Sequence, residues 1–272
     1  MDHDEIVITP TLTWLKKQIN QCLHDITIAS PFLNEAIWKF TDLLDAKVKR
    51  SFVTRINLRD FAFGASSLPT MFKLVQNGWN LYSLPHIHAK LYIFDNSTAL
   101  VTSANSTFAG LTRNLECGIA VRNSKVIINM RKLLFEGLGS DSKPIKHSIK
   151  DLLSLNAPVN LYKEAIKRYE DQAMIDLLSE PDDYVISFYK KDEFMDAFTG
   201  WRKLTLEAII QLSKPNFNLD ELYRISAPLA LKSYPSNVNW EAKLRQQLQI
   251  LRDMGLIKFV SRGKYSCLFK FT

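Results

Sequence analysis

A chain of 272 residues with 46% apolar content exceeds one average domain and carries enough hydrophobic side chains to bury two cores. Three cysteines (22, 117 and 267) without C-x-x-C spacing, and five histidines, speak against a zinc site or disulfide framework and for a reducing cytoplasm; no cofactor is called for. The net charge of +7 resides in residues 201–272, where 12 Lys and Arg stand against 5 Asp and Glu, which argues for a polyanionic partner, nucleic acid being the commonest one. Neither a signal-peptide pattern nor a run of 18 apolar residues is visible, so a membrane location is not expected.

Helical periodicity over Thr11–Leu23, a strand over Ile26–Ser30, a helix over Asn34–Leu44 and a strand over Lys49–Thr54 give an alternating opening. A short helix at Met71–Gln76 and a strand at Trp79–Ser83 continue it, which predicts an α/β domain with a sheet covered by helices on both faces. His88–Phe94 reads as a strand ending in the turn pair Asp95-Asn96, with Thr98–Ser103 as its return strand and Leu115–Val121 as a third. Ser124–Leu133 reads as the helix that closes this first domain, expected to span residues 1–140.

The chemistry gathers in these three strands. Alternation puts His88 and Lys90 on one face, while the neighbouring strands deliver Ser103, Asn105 and Glu116. An imidazole is a competent nucleophile toward phosphorus, and a carboxylate on its other ring nitrogen, here Glu116, fixes the tautomer. Lys90, Ser103 and Asn105 supply charge and donors for the phosphoryl oxygens, so the set suits phosphodiester chemistry without a metal. Asp95 reads as a turn residue with a structural role, and His86 as a bystander.

The string His88-x-Lys90-x4-Asp95-x6-Thr102-Ser103-x-Asn105, followed by Asn114-x-Glu116, resembles the signature of the phospholipase D superfamily in its nuclease branch. The resemblance covers roughly residues 1–135, including Ala29-Ser30-Pro31-Phe32-Leu33, and departs from the family at Thr102, where glycine is usual. Family members combine two such motifs in one site, one histidine attacking and the other protonating the leaving oxygen. With a single His-x-Lys here, the resemblance implies a homodimer in which His88 of each protomer meets across a two-fold axis.

Gly139, Pro144 and Pro158 mark a boundary, and residues 141–200 are expected to form a helical acidic connector with helix over Leu161–Leu178. Residues 171–200 carry a net charge of −6, including Glu180-Pro181-Asp182-Asp183; this reads as a solvated face, or as a segment masking basic surface. From residue 201 the pattern becomes a compact module with helices at Arg202–Leu212, Leu219–Arg224 and Trp240–Met254. The third helix buries Trp240, Leu244, Leu248 and Leu251, with Asn239 as its N-cap. Leu256–Val260 and Tyr265–Phe271, joined by Ser261-Arg262-Gly263-Lys264, complete a winged-helix plan over residues 201–272. The stretch from Tyr234-Pro235 to Gly255 is similar to the C-terminal winged-helix domains of certain restriction endonucleases. That resemblance makes Trp240–Met254 the recognition helix, with Asn239, Lys243, Gln246 and Gln247 as exposed donors and Arg262 and Lys264 as phosphate contacts on the wing.

The combined expectation, as the two resemblances imply, is a metal-independent type II restriction endonuclease that hydrolyses phosphodiester bonds of double-stranded DNA through a phosphohistidine. Two rivals remain: a DNA-binding regulator that keeps the nuclease fold as a dimerisation platform, and a phospholipid-processing phosphodiesterase.

Overall fold

The computed structural model describes residues 5–84, 86–137, 143–167 and 185–271. The chain divides into two compact units, residues 1–56 with 64–153, and residues 57–63 with 154–272. The first contains β1 (Glu5–Ile8), α1 (Thr11–Ile19), β2 (Asp25–Ala29), α2 (Trp38–Thr41) and β3 (Lys49–Thr54). The chain then lends a short helix, α3 (Leu58–Ala62), to the second unit. It returns for α4 (Leu68–Gln76), β4 (Asn80–Ser83), β5 (Leu91–Phe94), β6 (Thr98–Thr102), β7 (Cys117–Val121), α5 (Ser124–Glu136), β8 (Ile145–His147) and α6 (Ile149–Leu153).

The eight strands form one sheet in the order β1-β7-β6-β5-β2-β3-β4-β8. β2, β3 and β4 are parallel neighbours, and β2, β5, β6, β7 and β1 pair antiparallel in turn. Alternation sorts the side chains by face. Ala29, Val53, Leu91, Ile93 and Ala99 pack with Ile127 and Leu134 of α5. On the opposite face Phe94 meets Trp14 of α1 and Tyr92 meets Phe40 of α2, each edge to face. The sheet with helices on both faces is therefore the observed architecture.

Several bounds differ from expectation, each for a local reason. The helix expected over Asn34–Leu44 splits into a 3-10 turn at Glu35–Ile37 and the single turn α2, after Asn34 caps the Ala36 N–H through its side chain. Asp95 and Asn96 both take positive φ, at 49° and 55°, which is the two-residue turn whose twist suits a hairpin, and it joins β5 to β6. β1 and β8, the two edge strands, are three or four residues long and were not anticipated.

The second unit adds α7 (Asn156–Ile166), β9 (Ile186–Phe188), α8 (Lys191–Asp196), α9 (Gly200–Gln211), β10 (Asn216–Asn218), α10 (Leu219–Ser233) and α11 (Trp240–Asp253). It closes with β11 (Ile257–Ser261), β12 (Lys264–Cys267) and β13 (Phe269–Phe271). α10 runs nine residues beyond its expected end at Arg224. A reciprocal capping box between Asn218 and Glu221 starts it, and it accommodates Pro228 inside. Leu204, Ala230 and Leu244 form the core between α9, α10 and α11, and β10-β12-β11 makes the small sheet of the wing. The final apolar run divides: β12 stays in the wing, while β13 pairs with β9 in a separate two-stranded sheet. α3 is part of this unit, with Leu58 buried and its N–H donated to the Met254 carbonyl at 3.2 Å. The Glu180–Asp183 cluster and the end of the helix expected to reach Leu178 lie outside the described residues.

Candidate active site

β5 begins at Leu91, three residues later than expected, so His88 and Lys90 sit in the irregular segment leading into it. Pairing nevertheless reaches back one step, because the Thr102 N–H bonds the Lys90 carbonyl at 3.1 Å. The next residue, Ser103, is bound to β7 in turn, its N–H to the Cys117 carbonyl at 3.1 Å. The backbone thus brings Lys90, Ser103 and the start of β7 side by side.

Lys90 folds back on His88. Its Nζ donates to the His88 carbonyl at 2.9 Å and lies 3.3 Å from Nδ1 and 3.5 Å from Nε2, with the imidazole itself exposed. Burial lowers the Lys90 pKa from its ordinary value, and the Glu116 carboxylate opposes that shift in part. The Lys90 amine and the exposed imidazole therefore stand close enough to meet the same incoming group.

Glu116 is buried and hydrogen-bonded to Ser103 and Asn114, not to His88, which differs from the expectation that it orients the imidazole. Its carboxylate accepts the Ser103 hydroxyl and, at 3.2 Å, the Asn114 side-chain amide. Thr9 braces it from β1's end, accepting the Glu116 N–H at 2.8 Å and donating to the Asn114 carbonyl at 2.5 Å. Ser103 Oγ also accepts the Cys117 N–H at 3.2 Å, so the hydroxyl is aimed by both neighbours.

Asn105 is half-buried, its Oδ1 lying 3.4 Å from Ser30 Oγ. Ser30 accepts the Ser106 N–H at 3.0 Å, and the buried Tyr92 hydroxyl donates to the Ala104 carbonyl at 3.2 Å and lies 3.1 Å from Ser106 Oγ. Burial pushes the Tyr92 phenol well above its ordinary range, so it stays a neutral donor. Ser30 and Tyr92 were missed as supports, since a lone serine and a strand tyrosine have no spacing that marks them. Asp95 has a structural part: its carboxylate accepts the N–H groups of Leu23, His24 and Asp25 at 2.7–2.8 Å.

In the second unit, Asn239 just before α11 and Gln246 on it are exposed, and Lys243 donates to Gln246 Oε1 at 2.7 Å. Gln247 is only 6% exposed, which corrects its expected place on the solvent face: it lies between Leu244 and Leu248 on the buried side of the helix. Asn239 occupies the N-cap position without capping through its side chain. Arg262 and Lys264 are exposed at the wing tip around Gly263.

No group of three His, Cys, Asp or Glu side chains that could hold a metal ion occurs among the described residues, and no described helix is long and apolar enough to cross a membrane. A family model described as "Cardiolipin synthase, PLD-like domain" matches residues 15–136, and one described as "Dam-replacing HTH domain" matches residues 198–267. Among solved structures, NucT from Helicobacter pylori overlays at TM-score 0.40 with 14% identity, over 48% of this chain and 91% of that one. Nuc from Salmonella typhimurium, a phospholipase D family member, gives 0.38 and 19%, over 48% and 91%. A phosphatidylserine synthase from Haemophilus influenzae gives 0.44 and 11%, over 61% and 44%. The domain identities rest on the two family models and on the motif residues: the chain carries a phospholipase D-like domain followed by a winged-helix domain of the Dam-replacing HTH type.

Proposed function

We propose that the chain is a metal-independent DNA phosphodiesterase of the restriction-endonuclease kind, with the cut made by the first unit and the sequence selected by the second. What supports this reading is that His88 and Lys90 lead into β5 and Ser103 and Asn105 follow β6 at the same end of two adjoining strands, with Lys90 on His88 and the Thr102 N–H on the Lys90 carbonyl. His88 attacks phosphorus, a phosphorus–nitrogen bond forms, and the bond to the leaving oxygen breaks. Lys90, Ser103 and Asn105 stabilise the charge that develops on the phosphoryl oxygens. Water then attacks the phosphohistidine, releasing the phosphate end and restoring the imidazole.

The leaving oxygen needs a proton and the attacking water must lose one, and a second copy of His88 in a homodimer serves both steps. An uncovered face supports that assembly. Ile6, Ile119 and Val101 are cross-strand neighbours, and Ile6 and Ile8 remain 74% and 63% exposed. By alternation Ser103 follows Val101 on the same face, so the apolar row runs up to the site.

DNA selection is assigned to Asn239 just before α11, to Lys243 and Gln246 on it and to Arg262 and Lys264 on the wing, in a module carrying the whole positive excess. That module favours DNA over phospholipid as substrate. The test is incubation of the purified protein with plasmid DNA and with phosphatidylglycerol vesicles, each in excess EDTA. Plasmid cleavage is expected. Hydrolysis of the lipid alone, or DNA cleavage that stops on chelation and returns with Mg²⁺, would contradict the reading.

A further inference from the structure

Asn105 is followed by the one π-helical turn among the described residues, Ala109–Arg113, closed by the Asn114 N–H on the Ala109 carbonyl at 2.8 Å. In an α-helix, residues five apart point about 140° away from each other. The wider π turn, bonded i to i+5, brings position i+5 back over position i. Arg113 accordingly lies over Phe108, its guanidinium carbon 5.2 Å from the ring centre. Lys39, from α2, places Nζ 4.3 Å from the same centre. The ring is 40% exposed, both cations are exposed, and neither is paired with a carboxylate among the described residues.

The turn is fixed directly to the candidate site. The Phe108 N–H bonds Asn34 Oδ1 at 3.1 Å, and the Thr107 N–H bonds the Asn105 carbonyl at 2.8 Å. Gly110 packs so closely that a Cβ there would lie 2.6 Å from the Asn105 carbonyl oxygen and 2.8 Å from its nitrogen. Phe108 therefore has a set position relative to Asn105. The ring holds two cations that no carboxylate among the described residues compensates, an arrangement that suits a polyanion: the aromatic face fixes the charges in place and leaves them free to meet phosphates.

We propose that Lys39 and Arg113, held on the Phe108 ring, clamp the DNA backbone next to the phosphodiester being cut, each cation meeting a flanking phosphate. This rests on the phosphodiesterase reading of the same site and names how that site holds its substrate. The test compares full-length wild type with Phe108→Ala, Phe108→Trp and Arg113→Gln on plasmid DNA and on methyl p-nitrophenyl phosphate, a diester without a flanking nucleotide. For Phe108→Ala, which releases both cations from the ring, the KM for DNA should rise about tenfold more than the KM for the small diester, and Phe108→Trp, which keeps an aromatic face, should stay near wild type. Arg113→Gln should flatten the salt dependence of DNA cleavage by about one unit of log–log slope. Equal losses on both substrates would reduce Phe108 to a scaffold residue and overturn the clamp, as would an unchanged KM for DNA. Weaker sedimentation of Phe108→Ala with phosphatidylglycerol vesicles at unchanged DNA KM would assign the ring to lipid and overturn it too. A wild-type protein inert toward both diesters would remove the phosphodiesterase reading itself, and the clamp with it.

Discussion

Thr102 and Gly118 face each other across the β6–β7 pair, and the glycine supplies the room the threonine needs. A Cβ at position 118 would lie 2.7 Å from Thr102 Cβ and 2.6 Å from the Val101 carbonyl oxygen. Thr102 uses that room: its hydroxyl donates to the Cys117 carbonyl at 3.2 Å and accepts the Ala104 N–H at 3.2 Å. Those two bonds flank Ser103. The departure from the family's usual glycine is thus matched across the ladder, and the side chain braces the turn that carries Ser103 and Asn105.

Gly118→Ala should separate β6 from β7 at this point and misplace Ser103 against Glu116, since a backbone carbonyl cannot step aside. A displacement near 1 Å costs on the order of 100-fold in rate. Steady-state kinetics should show the loss in kcat, with Thr102→Ser near wild type and Thr102→Val impaired. Wild-type kcat for both Gly118→Ala and Thr102→Val would mean that the pairing does not position the site.

Asp95 is expected to contribute stability at the β5–β6 turn that is lost in acid. Burial raises its pKa, yet the N–H donors of Leu23, Asp25 and His24 outweigh that, and the net shift is downward from 3.8. A folded value below the unfolded one contributes stability above the unfolded pKa that is lost as pH falls through the folded value. Asp95→Asn should therefore cost roughly 1–3 kcal/mol at pH 7, toward the lower end because water reaches the turn. Denaturant melts at descending pH should show the gap between wild type and variant closing in the acid range. A gap independent of pH would contradict the assignment.

If the winged helix selects DNA as proposed, base reading and phosphate anchoring should separate within it. Gln246→Ala should cost about 1–3 kcal/mol at a cognate site and relax discrimination there. Arg262→Gln and Lys264→Gln should weaken cognate and non-cognate DNA alike, each flattening the salt slope by about one unit. Gln247→Ala should act on stability, being buried. Titrations against cognate and scrambled duplexes at several salt concentrations distinguish these classes, and equal losses on every sequence for Gln246→Ala would take base reading away from α11.

The sheet and its motif residues were legible because period-two patterning and the Asp95-Asn96 turn are local signals, set by residues adjacent in sequence. What escaped depends on distant partners. Glu116 binds Ser103 rather than His88 because Thr9 and Asn114 fix its approach, and Thr9 is more than a hundred residues away in sequence. Gln247 looked like its neighbour Gln246, but one step along a helix turns a side chain by about 100°, enough to bury it. α3 lies inside the sequence span of the first domain yet belongs to the second unit, where Leu58 meets Met254, a contact that no periodicity encodes.

His88 as nucleophile is the central claim, and direct capture of its product tests it most closely. DNA bearing ³²P at the scissile phosphate should label the wild-type protein on rapid acid-free denaturation, with the label on His88, stable to base and released by acid. His88→Ala should take up no label, cut DNA at less than a thousandth of the wild-type rate, and bind DNA as tightly as wild type, because the imidazole contributes to the chemical step rather than to ground-state affinity. An unlabelled wild-type protein that cleaves normally, or a His88→Ala variant cutting at a tenth of the wild-type rate, would contradict the account.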